Sequence, residues 1–265
     1  KMHDGALSSI FIFMAILSKS NYQIYFIAMV ICLVFNIINY YDNKKISYLA
    51  LLILIFVLSY VLPTKFIESK TKVKMEDGIS FYSYVAMGLQ ESDKAPGWYN
   101  GFNYDSYAAC DNNTKKQIEF SKKEIKKRIN LFASDFEYTD EFFTKKIVSE
   151  WNNPTYQAFW NIQDKYSEGF EPQLFIREFL SLKSTYKVQK YLNIFDSIIK
   201  FGALLYVLYL IFNKNNENLI LPVTFVGVFL FLSFLSEAKA QYAIIFSTLL
   251  IPIATMGYNY AANLI

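Results

Sequence analysis

The stretch ISYLALLILIFVLSYVL, residues Ile46–Leu62, decides the fold class of this chain. Its 17 residues carry no charge. An apolar helix of about 17–25 residues crosses the roughly 30 Å hydrocarbon core of a bilayer. Pro63 follows directly, and proline interrupts the hydrogen bonds of a helix interior. The stretch therefore predicts a membrane-spanning helix that ends at Pro63.

Five more apolar runs flank this one. They are Ala6–Leu17, Tyr22–Tyr40, Ile194–Phe212, Leu219–Leu235 and Tyr242–Ala262. All but the first are long enough to span a bilayer. The sequence therefore predicts about six transmembrane helices, three before and three after the middle of the chain.

The charged residues lie mostly between these two blocks. Residues 64–193 hold 19 of the 26 Lys and Arg and 18 of the 23 Asp and Glu. We therefore predict an all-α membrane protein with transmembrane blocks at residues 1–63 and 194–265 and a mainly helical polar domain at 64–193. The near-balance of charge in this domain gives no basic patch of the kind that binds nucleic acid, so we expect no nucleic-acid partner.

Lysines in the short loops indicate which side of the membrane the polar domain occupies. With six spans, four lysines fall on the side of the termini and two on the opposite side: Lys1, Lys44, Lys45 and Lys214 against Lys19 and Lys239. Short cytoplasmic loops are enriched in Lys and Arg. We therefore expect a multi-pass protein of the cell membrane whose polar domain is extracytoplasmic.

Two helices are expected within the polar domain. The segment Thr114-Lys-Lys-Gln117 has the spacing of a capping box, which predicts a helix beginning there. Six lysines and Arg128 crowd this helix. They form either a cationic face for phosphates or a solvated surface. A second helix is expected after Thr139, and Asn153-Pro154 should end it.

A loop rich in glycine and aromatic residues is the first candidate site. Gly97 and Gly101 enclose Trp98, Tyr99 and Asn100. Aromatic rings stack on the C–H face of a sugar, and amides bind its hydroxyl groups. The alternative is an aromatic loop that packs on the membrane-facing side of the domain.

The connection between the last two apolar runs is the second candidate site. Glu237, Lys239 and Tyr242 lie at the membrane edge, where charged side chains usually face protein or a polar cavity. Lys239 would bind a phosphate, and Glu237 would orient it or accept a sugar hydroxyl. The alternative is a polar cap on a helical hairpin.

Several common chemistries are excluded by composition. His3 is the only histidine, so neither a His-based triad nor a site with several His ligands can form. The chain also has no glycine-rich phosphate-binding motif and no CxxC pair.

Taken in order, four motifs resemble those of bacterial multi-pass glycosyltransferases of the GT-C type, distant relatives of protein mannosyltransferases and lipid A aminoarabinose transferases. The motifs are Tyr84-Val-Ala-Met-Gly-Leu-Gln90, Gly97-Trp-Tyr-Asn-Gly101, Phe142-Phe-Thr-Lys145 with Trp151-Asn-Asn-Pro154, and Ser236-Glu-Ala-Lys-Ala-Gln-Tyr242.

The resemblance implies a polyprenyl-phosphate-linked sugar as donor and a glycan or cell-wall polymer as acceptor at the outer face of the membrane. It also implies a catalytic acidic residue in an external loop that these residues lack, so we read the chain as the C-terminal part of such an enzyme. Trp98, Tyr99 and Asn100 would lie near the sugars, and Glu237, Lys239 and Tyr242 near the donor phosphate. No cofactor is certain, and a requirement for a divalent metal stays open.

Two other functions fit the same sequence. One is a non-enzymatic, membrane-anchored subunit whose external domain binds a partner protein or a cell-wall polymer. The other is an O-antigen ligase or polymerase, which also carries a large external loop.

Overall fold

The computed structural model describes residues 2–159, 174–179, 182–213 and 219–264, and the regular structure in these ranges is entirely helical. This confirms the all-α prediction. We number the helices α1 to α12: Met2–Ser18, Gln23–Asn39, Asn43–Thr71, Phe81–Gly88, Phe102–Ala109, Thr114–Ser134, Phe136–Trp151, Leu174–Phe179, Leu182–Asn213, Ile220–Leu235, Ala240–Ser247 and Leu250–Ala262.

Among the described residues, three helices are long and apolar enough to cross a membrane. They are Ser20–Asn39, which joins a 3₁₀ turn to α2, then Asn43–Thr71 and Ser184–Asn213. Helices α11 and α12 add a fourth span if they count as one, although they meet at a bend of 46°. The two remaining predicted spans correspond to shorter apolar helices, Leu7–Ser18 and Ile220–Leu235. The structure thus supplies three or four spans of full length where the sequence predicts about six.

Two helices continue through the limits that the sequence predicts for the polar domain. Helix α3 contains Pro63 and ends only at Thr71, where Lys72 has φ 58° and donates its amide to the carbonyl oxygen of Glu68. The predicted end at Pro63 is therefore wrong, since a proline removes one backbone donor and need not end a long helix. Helix α9 likewise runs without a break across residues 193 and 194.

The chain forms two compact units. The first comprises Lys1–Asp77 and Glu217–Val228. Its core is a small apolar cluster, Ile12, Ile16, Phe26 and Leu52. The rings of Phe26 and Phe56 stack there with their centroids 4.3 Å apart. The second unit comprises Gly78–Asn216 and Phe229–Ile265, and it contains both candidate loops.

Helices α4, α5 and α6 of the second unit are joined by one buried amide. The Gln117 side chain accepts a hydrogen bond from the Ser80 amide at 2.8 Å and donates to the Asn103 carbonyl oxygen at 2.8 Å. Gln117 is therefore not part of a capping box. The helix is capped instead by the Asn113 side chain, which accepts from the Lys116 amide.

Helix α7 begins four residues before the predicted position. Asp135 caps it by accepting from the Tyr138 amide at 2.9 Å, so Thr139 lies inside the helix. The helix ends at Trp151, just before Asn153-Pro154, as the sequence predicts. Phe142 is its most deeply buried aromatic residue, at 1% exposure.

Helices α9 and α12 cross at two glycines. A Cβ atom added to Gly257 would lie 2.0 Å from the carbonyl oxygen of Gly202 and 2.7 Å from the amide nitrogen of Tyr206. Near the same crossing the Tyr258 hydroxyl donates to the Ile198 carbonyl oxygen at 2.7 Å. The two backbones therefore approach too closely for any side chain at position 257.

Replacing Gly257 by alanine is expected to destabilise the second unit by about 1–3 kcal/mol, because the added methyl group meets backbone atoms that cannot turn aside. Thermal unfolding in detergent micelles measures this effect. Gly227→Ala is the matched control, since its Cβ would find its nearest neighbour at 3.6 Å, an ordinary contact. Equal unfolding midpoints for the two variants would contradict the close crossing.

Candidate functional site

The second unit contains a cavity of about 480 Å³ with an aromatic and charged lining. Five aromatic rings, two lysines, one carboxylate and one amide line it: Tyr84, Trp98, Tyr99, Tyr104, Tyr242, Lys94, Lys239, Glu237 and Asn103. Such a mixture can offer flat apolar faces, positive charge and hydrogen-bond acceptors to one ligand.

The two loops that the sequence singles out meet at this cavity. Five of the six predicted site residues line it: two from the glycine-rich loop, two from the connection between α10 and α11, and Tyr242 from the first turn of α11. The loops are joined through their backbones, because the Ala238 amide donates to the Gly97 carbonyl oxygen at 2.8 Å. Gly97 has φ 75° at this point, a conformation that glycine adopts without strain.

Asn100, the sixth predicted residue, does not line the cavity. Its side-chain amide donates to the Gln90 side chain at 3.0 Å and to the Glu91 carbonyl oxygen at 3.2 Å, and its oxygen accepts from the Phe102 amide at 3.1 Å. Asn100 therefore shapes the glycine-rich loop, and its hydrogen bonds fix the start of α5.

Three of the aromatic side chains in the cavity wall differ in their contacts and exposure. The Trp98 ring is half-buried, and its Nε1–H donates to the Ser149 hydroxyl on α7 at 3.0 Å. Tyr99 is 51% exposed at the cavity rim. The Lys239 ammonium lies 5.8 Å from the centroid of the Tyr242 ring, a cation–π contact. The Trp98 ring is thus held in place while Tyr99 faces solvent.

Among the described residues, Glu237 is the only carboxylate in the cavity wall, and it is 9% exposed. Burial raises the pKa of Glu237, and the positive charge of Lys239 opposes this rise. A desolvated carboxylate is a strong hydrogen-bond acceptor. Asn103 adds a second acceptor, since its buried Oδ1 has no hydrogen-bond partner among the described residues.

The structure reveals a buried lysine that is not among the site residues predicted from the sequence. Lys146 of α7 is completely buried, and its ammonium donates to the carbonyl oxygens of Gly88 at 2.6 Å and Ser236 at 2.9 Å. Burial lowers the pKa of Lys146 to about 8, and the charge of Glu150 opposes the fall. One charged side chain thus ties the end of α4 to the loop that holds Glu237.

Glu150, one turn further along α7, is also completely buried. Its Oε1 lies 3.5 Å from the Lys239 amide nitrogen, a long hydrogen bond, and its Oε2 has no partner among the described residues. Burial raises the pKa of Glu150 to about 7, opposed by the charge of Lys146. The spacing of Phe142, Lys146 and Glu150 is a signal that the sequence does contain, because residues four apart share one helix face.

No set of three or more His, Cys, Asp or Glu side chains in the described ranges is placed to hold a metal ion. Comparison with protein-family models, with curated proteins and with solved structures found no match. The chemistry of the cavity is therefore the basis on which a function can be inferred.

Proposed function

We propose that this cavity binds the sugar and phosphate groups of a lipid-linked sugar. In this proposal the chain is the C-terminal portion of a glycosyltransferase that moves the sugar from a polyprenyl-phosphate donor to a cell-envelope acceptor at the outer face of the membrane. The observation that carries the proposal is the meeting of the two loops, which puts aromatic rings, lysines and a carboxylate around one space.

The aromatic side of the cavity suits a sugar. Trp98 and Tyr99 present ring surface that can cover the C–H face of a pyranose. Glu237 and Asn103 supply acceptors for its hydroxyl groups. Both acceptors are buried, so an apolar ligand in the cavity would leave them without a hydrogen-bond donor, at a cost in free energy. This disfavours a purely hydrophobic ligand.

The two lysines suit the phosphate. Lys94 and Lys239 line the same cavity as the rings, and ammonium groups bind phosphate oxygens by charge-assisted hydrogen bonds. The apolar helix Ser184–Asn213, long enough to cross a bilayer, belongs to the same compact unit. A ligand with a charged head and a polyprenyl tail matches both properties.

The proposed reaction is attack by an acceptor hydroxyl at the anomeric carbon of the sugar. The new C–O bond forms as the bond from that carbon to the phosphate oxygen breaks, and polyprenyl phosphate leaves with the electron pair. The hydroxyl proton passes to a base, which the resemblance assigns to an acidic loop outside this chain. Lys94 and Lys239 would stabilise the charge that grows on the departing phosphate.

Binding of a glycosyl polyprenyl phosphate to the protein in lipid nanodiscs tests the proposal. Trp98→Ala is expected to weaken binding about tenfold, which corresponds to a lost stacking contact, and Lys239→Ala at least as much, because it removes a charged hydrogen bond. Phe136→Ala and Lys145→Ala are the matched controls, since both residues are exposed on α7 away from the cavity lining.

Two outcomes decide between the readings. Unchanged affinity in both cavity variants would refute the site. Tight binding of a soluble oligosaccharide with no preference for the lipid phosphate would favour the membrane-anchored glycan-binding subunit over the transferase.

A further inference from the structure

Two ionisable side chains of α7 hold the loop of Glu237 at both ends. Lys146 donates to the carbonyl oxygen of Ser236, the residue before Glu237, and Glu150 accepts from the amide of Lys239, two residues after it. The backbone atoms on either side of the cavity carboxylate are therefore both bonded to one face of one helix.

Lys146 also reaches the other loop. Its ammonium donates to the carbonyl oxygen of Gly88, and its aliphatic chain lies against Gly97, where an added Cβ would be 2.6 Å from Lys146 Cε. Since Gly97 in turn accepts from the Ala238 amide, three chain segments converge on one side chain. The convergence excludes water, because Lys146 and Ala238 are completely buried.

We propose that Lys146 and Glu150 are positioning residues. They hold Glu237 and Lys239 against the glycine-rich loop and so form the cavity. The consequence for ligand binding rests on the proposed function, whereas the positioning itself does not.

A role in stability alone accounts poorly for this arrangement. Burying an ammonium group costs several kcal/mol, and apolar residues of similar volume often replace a whole buried ion pair without loss of stability. A methionine in place of Lys146 would fill the same space but could not bond two carbonyl oxygens from different segments. What the charge adds is a fixed distance between the end of α4 and the loop of Glu237.

Hydrogen exchange measured by mass spectrometry on the full chain in detergent micelles tests the positioning role. In Lys146→Met we expect exchange at least tenfold faster in peptides covering 88–98 and 236–242, where the Ala238 amide is bonded to Gly97, and little change in the first compact unit. Lys145→Met is the matched control, because Lys145 is the neighbouring residue and is exposed. It should exchange like the wild type.

Ligand binding separates this proposal from the proposed function. Glu237→Gln should weaken binding of the glycosyl polyprenyl phosphate and leave exchange unchanged, whereas Lys146→Met should alter both. If the wild type binds no such ligand, the proposed function fails while the exchange result still decides the positioning role.

Exchange in Lys146→Met within twofold of the wild type would overturn the positioning role, and so would acceleration spread evenly over the second unit. Should Lys146→Met fail to fold, the double variant Lys146→Met with Glu150→Gln removes both buried charges and is read in the same way.

Discussion

Replacing Gly88 by alanine is expected to weaken binding of the proposed lipid-linked sugar severely. A Cβ atom at this position would lie 2.2 Å from the carbonyl oxygen of Ser236, 2.7 Å from its carbonyl carbon and 3.2 Å from the amide nitrogen of Glu237. All three are backbone atoms, so no side chain can turn aside. The loop of Glu237 must move away from α4 by more than an ångström.

That movement breaks the hydrogen bonds that depend on the distance between the end of α4 and the loop of Glu237. The Lys146 ammonium donates hydrogen bonds to the carbonyl oxygens of both Gly88 and Ser236, and the Ala238 amide donates to the Gly97 carbonyl oxygen. We expect overpacking to cost about 1–3 kcal/mol or more of folding stability. We also expect an affinity loss of at least about a hundredfold, since two hydrogen-bonded segments separate. Titration of the glycosyl polyprenyl phosphate measures the affinity.

Gly78→Ala is the control for this prediction. Gly78 has φ 60°, so alanine there carries backbone strain of about 1–2 kcal/mol, but nothing lies within 4 Å of its Cβ position. It should lower stability slightly and leave affinity unchanged. Affinity within threefold of the wild type in Gly88→Ala would show that the loop does not lie against α4.

The candidate loops could be predicted from sequence because their composition is unusual. Glycines around Trp98 and Tyr99, and charges between two apolar runs at Glu237 and Lys239, stand out in a linear reading. What joins the loops could not be predicted. The bond between Ala238 and Gly97 is a backbone bond, and backbone bonds between loops leave no mark in side-chain chemistry.

Lys146 and Glu150 were missed for a different reason. Lysine and glutamate are almost never fully buried, so a sequence reading places them in solvent. Arg128 is a half-buried example on α6, where the sequence allows a solvated or phosphate-binding face. Its guanidinium group donates hydrogen bonds to the Leu89 carbonyl oxygen at 2.5 Å and to the Tyr138 hydroxyl at 2.6 Å. Partners from distant segments decide such burial, and they are visible only after folding.

Helix limits show where local rules are reliable. The stop of α7 before Asn153-Pro154 was correct because proline restricts the residue before it wherever it occurs. The sequence places the start of α7 four residues too late because several capping residues stand close together, whereas α6 begins at Thr114 as predicted and only its cap differs. Asn113 caps in place of Thr114, whose hydroxyl donates instead to the Gly78 carbonyl oxygen at 2.6 Å.

The Glu150→Gln variant is expected to lose a pH dependence of stability that the wild type has. Burial raises the pKa of Glu150 from 4.5 in the unfolded chain to about 7 in the folded protein. Between these values the folded protein keeps a proton that the unfolded chain releases, so wild-type stability falls as the pH rises. The shift corresponds to roughly 3 kcal/mol between pH 4.5 and 7.5.

Glutamine has no proton to lose, so the variant should show no such fall. The variant also changes the titration of Lys146, because the charge of Glu150 supports the pKa of Lys146 at about 8. Without that charge the pKa of Lys146 drops further, and loss of its proton in the folded state adds stability at higher pH. The free energy of unfolding, measured by denaturant titration in detergent micelles from pH 5 to 7.5, reports both effects.

Glu141→Gln is the matched control for the pH experiment. Glu141 lies on the same helix but is 58% exposed, paired with Lys145. Its replacement should leave the pH profile of the wild type intact. Glu237 also has a pKa raised by burial and contributes a fall of the same sign, but it is present in every variant, so the difference between profiles reports Glu150 together with the charges coupled to it, Lys146 and Glu237. A Glu150→Gln profile that falls as steeply as the wild type would mean that Glu150 is ionised in the folded protein well below neutral pH, which its complete burial argues against.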